Sequence, residues 1–215
     1  MTRIDAARLV EEVENRRLAH PVPNALLATD TELTLEHLRR LIGTEAQCHR
    51  TELAAYGTML ARFPHRPAAD LYLQLARLVY DASPKLDECA RALGLDPAEM
   101  KFWPPESATY AFDGVVSWVA VQGSQAATGM SSYADLTCYF SGCAELVARV
   151  RAVGLKVPDE FLSYYEDDSP DELCRLALEV VQDGLDRGDD PDEVLLCARL
   201  LDDSVADFWR AAAAV

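Results

Sequence analysis

The chain has 215 residues, half of them apolar, and a formal charge of −16. That length and hydrophobic content suit a single domain spanning 1–215 with one sizeable core, and they argue against disorder. The acidic balance argues against nucleic acid or an anionic membrane as a partner, because both reward a basic face.

In chain order, the first periodic segment predicts a helix over 3–18. Met1 to Asn15 has no apolar signal core, and no later apolar run approaches membrane length, so a cytoplasmic protein is expected. The six cysteines, Cys48, Cys89, Cys138, Cys143, Cys174 and Cys197, form no C-x-x-C pair. They read as reduced thiols in helix arcs rather than as a disulfide framework.

The next segment predicts a helix over 34–63 and carries the most unusual pattern in the chain. Leu38, Leu41, Ile42, Cys48, Tyr56, Met59 and Leu60 form its apolar side, while Glu36, Arg39, Arg40, Arg50, Thr51 and Arg62 form the solvated one. At about 100° per residue, His49 and Glu52 fall within roughly 40° of Glu45, in the middle of the apolar arc. A buried, unpaired charge costs several kcal/mol or shifts its pKa, so this stripe requires an explanation.

Further helices are predicted over 67–93, 107–127, 131–153, 170–187 and 191–213. Pro84 should kink or break the first of these. Asp96-Pro97, Ser169-Pro170 and Asp190-Pro191, each followed by a carboxylate, are helix-start signals. Gly94, Gly154 and Gly188 sit where helix ends call for a left-handed residue. The run from Tyr110 to Ala127 is apolar nearly all round and should lie mid-bundle. Glu166-Asp167-Asp168 reads as a solvated loop. An all-α protein follows, with no β alternation and no internal repeat.

Three readings of the stripe compete. As half of a carboxylate-bridged dimetal centre it would need ligands from facing helices. The projections supply none: Asp81 and Glu88 on 67–93, Asp135 and Glu145 on 131–153, and Asp202, Asp203 and Asp207 on 191–213 all fall outside their core arcs. No cofactor is therefore expected, a mononuclear metal on Glu45, His49 and Glu52 remaining an alternative. The second reading is a polar patch in an apolar pocket, where carboxylates receive hydrogen bonds from an amine or amidine and His49 moves a proton. The third is an internal Glu52–His49 ion pair, or snorkelling to the helix edge, with no ligand. Asp113 is the other candidate acid. Tyr110, Trp118, Tyr139 and Trp209 are candidates to line a pocket or plain core. Cys138 and Cys143 are candidate nucleophiles, with no basic neighbour in sequence to lower their pKa. His20 reads as a structural residue at a loop entry, and His37 and His65 carry no functional reading.

The stretch His20-Pro21-Val22-Pro23-Asn24-Ala25-Leu26-Leu27, then Leu33-Thr34-Leu35-Glu36-His37-Leu38-Arg39-Arg40, resembles the opening of the TenA (thiaminase II) and PQQ-synthase-like proteins. Gly188-Asp189-Asp190-Pro191, Leu200-Leu201 and Phe208-Trp209 resemble their C-terminal end, so the likeness covers about residues 19–212. It implies the haem-oxygenase-like fold, a bundle of about seven helices around a small-molecule pocket. It also implies that Glu45 occupies the position of the acid that binds the aminopyrimidine ring. The family's nucleophilic cysteine aligns with Tyr139, beside Cys138 and a turn before Cys143, and its catalytic glutamate aligns with Val205. The His-x-x-x-Asp-x-x-His-like set of the fold's di-iron oxidases has no counterpart, as helix 131–153 has no histidine.

The resulting expectation is a TenA-like protein of a bacterial biosynthetic pathway, acting without metal on a nitrogen-containing small molecule. Glu45, His49 and Glu52 would do the chemistry, with Glu45, Tyr110, Asp113, Trp118, Tyr139 and Cys143 around the ligand. The alternatives are a non-catalytic binding or accessory protein and an iron oxidase with an atypical ligand set. A homo-oligomer stays open.

Overall fold

The computed structural model describes residues 5–28, 32–166 and 170–215. Among them are eight α-helices and no strand: α1 Ala6–Ala19, α2 Leu35–Arg62, α3 Ala68–Ala92, α4 Ala111–Gln122, α5 Gln125–Ala152, α6 Asp159–Tyr165, α7 Asp171–Asp186 and α8 Pro191–Ala213. None of them is long and apolar enough to cross a membrane.

Local chemistry sets the ends. The Asp5 carboxylate accepts from the Arg8 N–H at the start of α1, and that of Asp190 accepts from Asp192 N–H at the start of α8. Ahead of α2 the Thr34 N–H donates to His37 Nδ1, which gives His37 a capping role. Gly94, Gly154 and Gly188 all have positive φ, and the residue after each donates back across the last turn, as Leu95 N–H does to Ala90 O at 2.9 Å. Ser169 and the start of the first helix at 3–4 lie outside the described residues, as do Asp167 and Asp168. Asp96-Pro97 opens only a 3-10 turn, Glu99–Phe102.

Three expectations need correction, and one helix was not expected. The 107–127 run is not one central helix. A 3-10 turn, Ser107–Tyr110, leads into α4, and Gly123 and Ser124 then break the chain before α5, whose Ala127 N–H donates to Ser124 Oγ. Consequently α4 lies at the periphery, with Trp118 44% exposed and Val121 also in solvent, while α5 is the more buried element. Pro84 does not interrupt α3, because it and Tyr80, whose carbonyl it leaves unbonded, lie on the solvent side where water substitutes for the lost donor. The short helix α6 follows Pro158 and escapes periodicity at seven residues. Finally, Arg40 and Asp202 are buried although their helical projections place them outside: Arg40 Nε donates to Ala211 O, and Asp202 accepts from Arg16 and Arg17 of α1.

Packing leaves a space where the stripe points. α2 packs against α3, α4 and α8, and α5 packs against α7 and α8. The gap between α2 and α5, closed by α3 and α6, is a cavity. Close helix approach on the far side of α5 depends on glycine. A Cβ on Gly184 would lie 2.5 Å from the Ala126 amide nitrogen and 2.5 Å from Asp189 Oδ2, the pair that bonds at 2.8 Å where α7 meets α5. Gly184→Ala is therefore expected to destabilise by about 2 kcal/mol in urea unfolding, through overpacking and loss of that bond. A change below about 0.5 kcal/mol would mean that the seam relaxes freely.

Candidate functional site

Glu45, His49 and Glu52 are 5%, 6% and 8% exposed and line one wall of the cavity. They are inward because α2 turns its apolar stripe there, and α3, α5 and α6 supply the opposite walls. The main chamber offers water-sized space of about 80 Å³ and is flanked by Leu75, Leu78 and Val79 of α3. A smaller chamber of about 40 Å³ adjoins it, against Phe112, Val205 and Phe208. Glu45, Glu52, Asp135 and Tyr139 border both.

Each group in the stripe has a distinct state. Ser83 donates its proton to Val79 O at 2.8 Å, so its oxygen accepts from His49 Nδ1 at 3.0 Å. The imidazole therefore carries its hydrogen on Nδ1 and leaves the Nε2 lone pair for the Tyr164 hydroxyl at 2.9 Å. Burial pushes the His49 pKa down to about 4, so the ring is neutral near pH 7. Its Nε2 lies 3.6 Å from Glu45 Oε1, too far for a good hydrogen bond and without charge for an ion pair. Burial lifts Glu45 to about 8, partly offset by the Tyr139 hydroxyl and reinforced by the Asp135 and Asp113 charges. Glu45 Oε2 is fully enclosed and has no hydrogen-bond partner among the described residues.

Glu52 accepts from the Tyr56 hydroxyl at 3.0 Å, and burial with the charges of Asp135 and Glu45 holds its pKa well above the ordinary range. Neither acid snorkels, and His49 makes its bonds to Ser83 and Tyr164 rather than to Glu52.

Asp135 is the residue that sequence reasoning missed. It faces the cavity from α5, and burial raises it to about 7, with Arg17 pulling the other way. It has no hydrogen-bond partner among the described residues. Its signal was present in the sequence: Asp135, Tyr139 and Cys143 recur at four-residue steps, so Asp135 belongs to the face that carries the tyrosine. Ser83, Tyr56 and Tyr164 were likewise overlooked. They are ordinary helix residues that acquire roles only when α3 and α6 meet α2.

The remaining candidates divide. Tyr139 is in the site, stacked on Trp209 at 6.2 Å and edge-on to Phe140 and Phe208. Asp113, raised by burial to about 6, approaches the stripe from α4 beside Cys48 and Thr51 and is not part of the cavity lining. Tyr110 ends the 3-10 turn before α4 and Trp118 faces outward, so neither lines the cavity. Cys143 is buried near Tyr139 and its thiol is held well above the ordinary value by burial, while Cys138 is raised to about 12. Both thiols stay protonated and are poor nucleophiles.

No three His, Cys, Asp or Glu side chains among the described residues are disposed to hold a metal ion. A neutral imidazole and three carboxyls of raised pKa thus share a cavity whose other walls are largely apolar. No family model matches the chain, and no curated protein matches it.

Proposed function

We propose that the protein binds a nitrogen-containing small molecule in the cavity between α2 and α5, with Glu45 as its anchor and His49 as the proton acceptor beside it. The observation that carries this reading is Glu45 Oε2, a buried carboxyl oxygen without a hydrogen-bond partner among the described residues, on a wall of the cavity. Natural structures rarely leave such an atom unsatisfied unless something else satisfies it, and a ligand N–H would do so. The His49 Nε2 lone pair, held in place through Ser83, is available to take a proton from a bound group if Tyr164 swings aside.

The reading extends to a TenA-like protein of the haem-oxygenase-like fold, working without metal in a biosynthetic pathway of the cytoplasm. Its support is that Glu45, Tyr139 and Val205, the positions aligned with that family's functional residues, line one chamber. With Val205 and Tyr139 in place of an acid and a thiol, the chemistry would differ from thiamin hydrolysis and rest on Glu45, His49 and Glu52. The free cysteines, four of the six buried, suit a reducing compartment.

A thermal-shift panel of aminopyrimidines, amines and aromatic acids tests the reading. A basic ligand at about a hundredfold over its Kd should add about 2.7 kcal/mol, which for a chain of this size is roughly 6 °C in Tm. Glu45→Gln should abolish the shift. If no basic compound raises Tm, or if the shift survives in the variant, the assignment of Glu45 fails.

A further inference from the structure

Beyond one anchoring acid, the cavity gathers an excess of acid that a singly charged ligand leaves unused. Glu45 and Glu52 line it from α2 and Asp135 from α5, and among the described residues the single cationic side chain in its lining is the exposed Lys85. Arg17, which lies behind Asp135, is committed elsewhere: its guanidinium donates to Asp202, to Thr137 Oγ1 at 2.8 Å and to Ala134 O at 2.9 Å. Glu52 keeps one neutral donor, Tyr56, and Asp135 has none among the described residues. Three carboxyls in a cavity of this kind are tolerated only as protonated acids or as partners of cations supplied from outside.

Their spacing divides them into two poles. Glu45 and Glu52 are seven residues apart on α2, which places their backbones about 10 Å apart along one stripe. Asp135 reaches the cavity from α5 opposite, and after burial its charge is the largest charge effect on both Glu52 and Glu45. Between the poles the main chamber is walled by Leu75, Leu78, Val79 and Leu136. An aliphatic spacer suits that surface, and a second cation suits its far end. We infer that the ligand carries two protonated nitrogens on a short apolar spacer, one held by Glu45 and the other by Glu52 with Asp135. This rests on the reading that the cavity is the ligand site. A molecule of about six heavy atoms matches room for several waters.

A consequence follows for protons. The ligand arrives already charged, so each carboxyl that meets an ammonium must release the proton it carries, and affinity should rise with pH until the acids are ionised. The groups facing this exchange are His49, Cys48 and Tyr56 from α2, Lys85 from α3, Asp113 from α4, Tyr139 and Cys143 from α5, and Tyr164 and Tyr165 from α6. His49, with a pKa near 4, stays neutral across pH 6–8 and does not oppose the trend.

Calorimetric titration of the full chain with diaminobutane, diaminopentane, butylamine and pentylamine tests the inference. The diamines should bind at least about tenfold more tightly than the matched monoamines. The titrations should show net proton release in buffers of different ionisation enthalpy. Glu52→Gln or Asp135→Asn, either of which suffices if folded by circular dichroism, should collapse the ratio toward one by weakening the diamines more than the monoamines. Amine binding with no preference for two charges, or a preference that survives both variants, overturns the two-pole inference and leaves the Glu45 pocket standing. If neither amine class binds, the pocket reading falls and this inference falls with it.

Discussion

At pH 8 the Glu45→Gln protein is expected to be more stable to urea than the parent, by roughly 2–4 kcal/mol, and at pH 5 the gain is expected to shrink below about 1 kcal/mol. The sign follows from the raised pKa of Glu45, 4.5 for the free side chain and about 8 in the folded protein. Between those values the folded state holds a proton that the unfolded chain has released, so stability falls as pH rises across the window. At about 1.4 kcal/mol per pH unit, that interval bounds the effect near 5 kcal/mol. Partial ionisation at pH 8, and water drawn in to the carboxylate, reduce it to the stated range.

Asp135 and Asp113, raised to about 7 and about 6, act in the same direction, as does Glu52. His49 acts on the opposite limb: with its folded pKa lowered from 6.5 to about 4, it withdraws stability as pH falls through that interval. The four acids outnumber it, so the ligand-free parent should be more stable near pH 5.5 than at pH 8. Glutamine keeps the shape of Glu45 and removes the ionisation, so the variant should lose ligand affinity while gaining stability. That combination is the mark of a residue retained for binding at the expense of the fold. A parent whose stability is flat or rising from pH 5.5 to 8, or a variant that is no more stable at pH 8, would show that Glu45 is not the strained acid described above.

Much of the architecture was legible, for identifiable reasons. Proline starts, glycine stops and the 3.6-residue period are local properties, and α1, α2, α3, α7 and α8 follow from them to within a few residues. The inward stripe was legible too, because burial of α2 on its apolar side depends only on that side's composition. What failed was anything decided by a neighbour. Arg40 and Asp202 look solvated in helical projection, yet each is buried because an element far away in sequence brings a partner to it: the Ala211 carbonyl for one, the arginines of α1 for the other. Asp135 failed for the converse reason. It faces the cavity with no hydrogen-bond partner among the described residues, an arrangement that a propensity argument rejects and that a ligand site can require. The Tyr110–Ala127 run misled because its hydrophobicity indicates burial somewhere but not the break at Gly123 and Ser124, after which only its last residues join the core helix.

Asp202→Ala should be the most damaging single substitution in the packing of α1, with an expected loss of about 3 kcal/mol. Asp202 is 2% exposed and accepts from both Arg16 and Arg17, the latter through both of its carboxylate oxygens. Charge-assisted bonds of this kind are among the stronger ones, and deleting the acceptor takes the buried carboxylate from both guanidinium groups, Arg17 keeping Thr137 and the Ala134 carbonyl. Because the side chains of Arg16 and Arg17 are 27% and 14% exposed, solvent screens part of the loss, which keeps the figure below the extreme for a wholly buried pair. Asp202→Asn should lose less, since the amide oxygen still accepts one bond. The effect should also reach the ligand cavity. Asp202 both repels charge on Asp135 and holds Arg17, the cation that would otherwise neutralise Asp135. In Asp202→Asn, Arg17 should favour ionised Asp135, lowering its pKa from about 7 and weakening the attraction of that end of the cavity for a cation. Urea unfolding of the two variants, with the Asp135 carboxyl followed by carbon NMR across pH 4–8, separates these effects. A loss under about 1 kcal/mol in Asp202→Ala would show that α1 is held by its apolar contacts alone, and an unmoved Asp135 titration in Asp202→Asn would show that the α1–α8 network and the cavity are electrostatically independent.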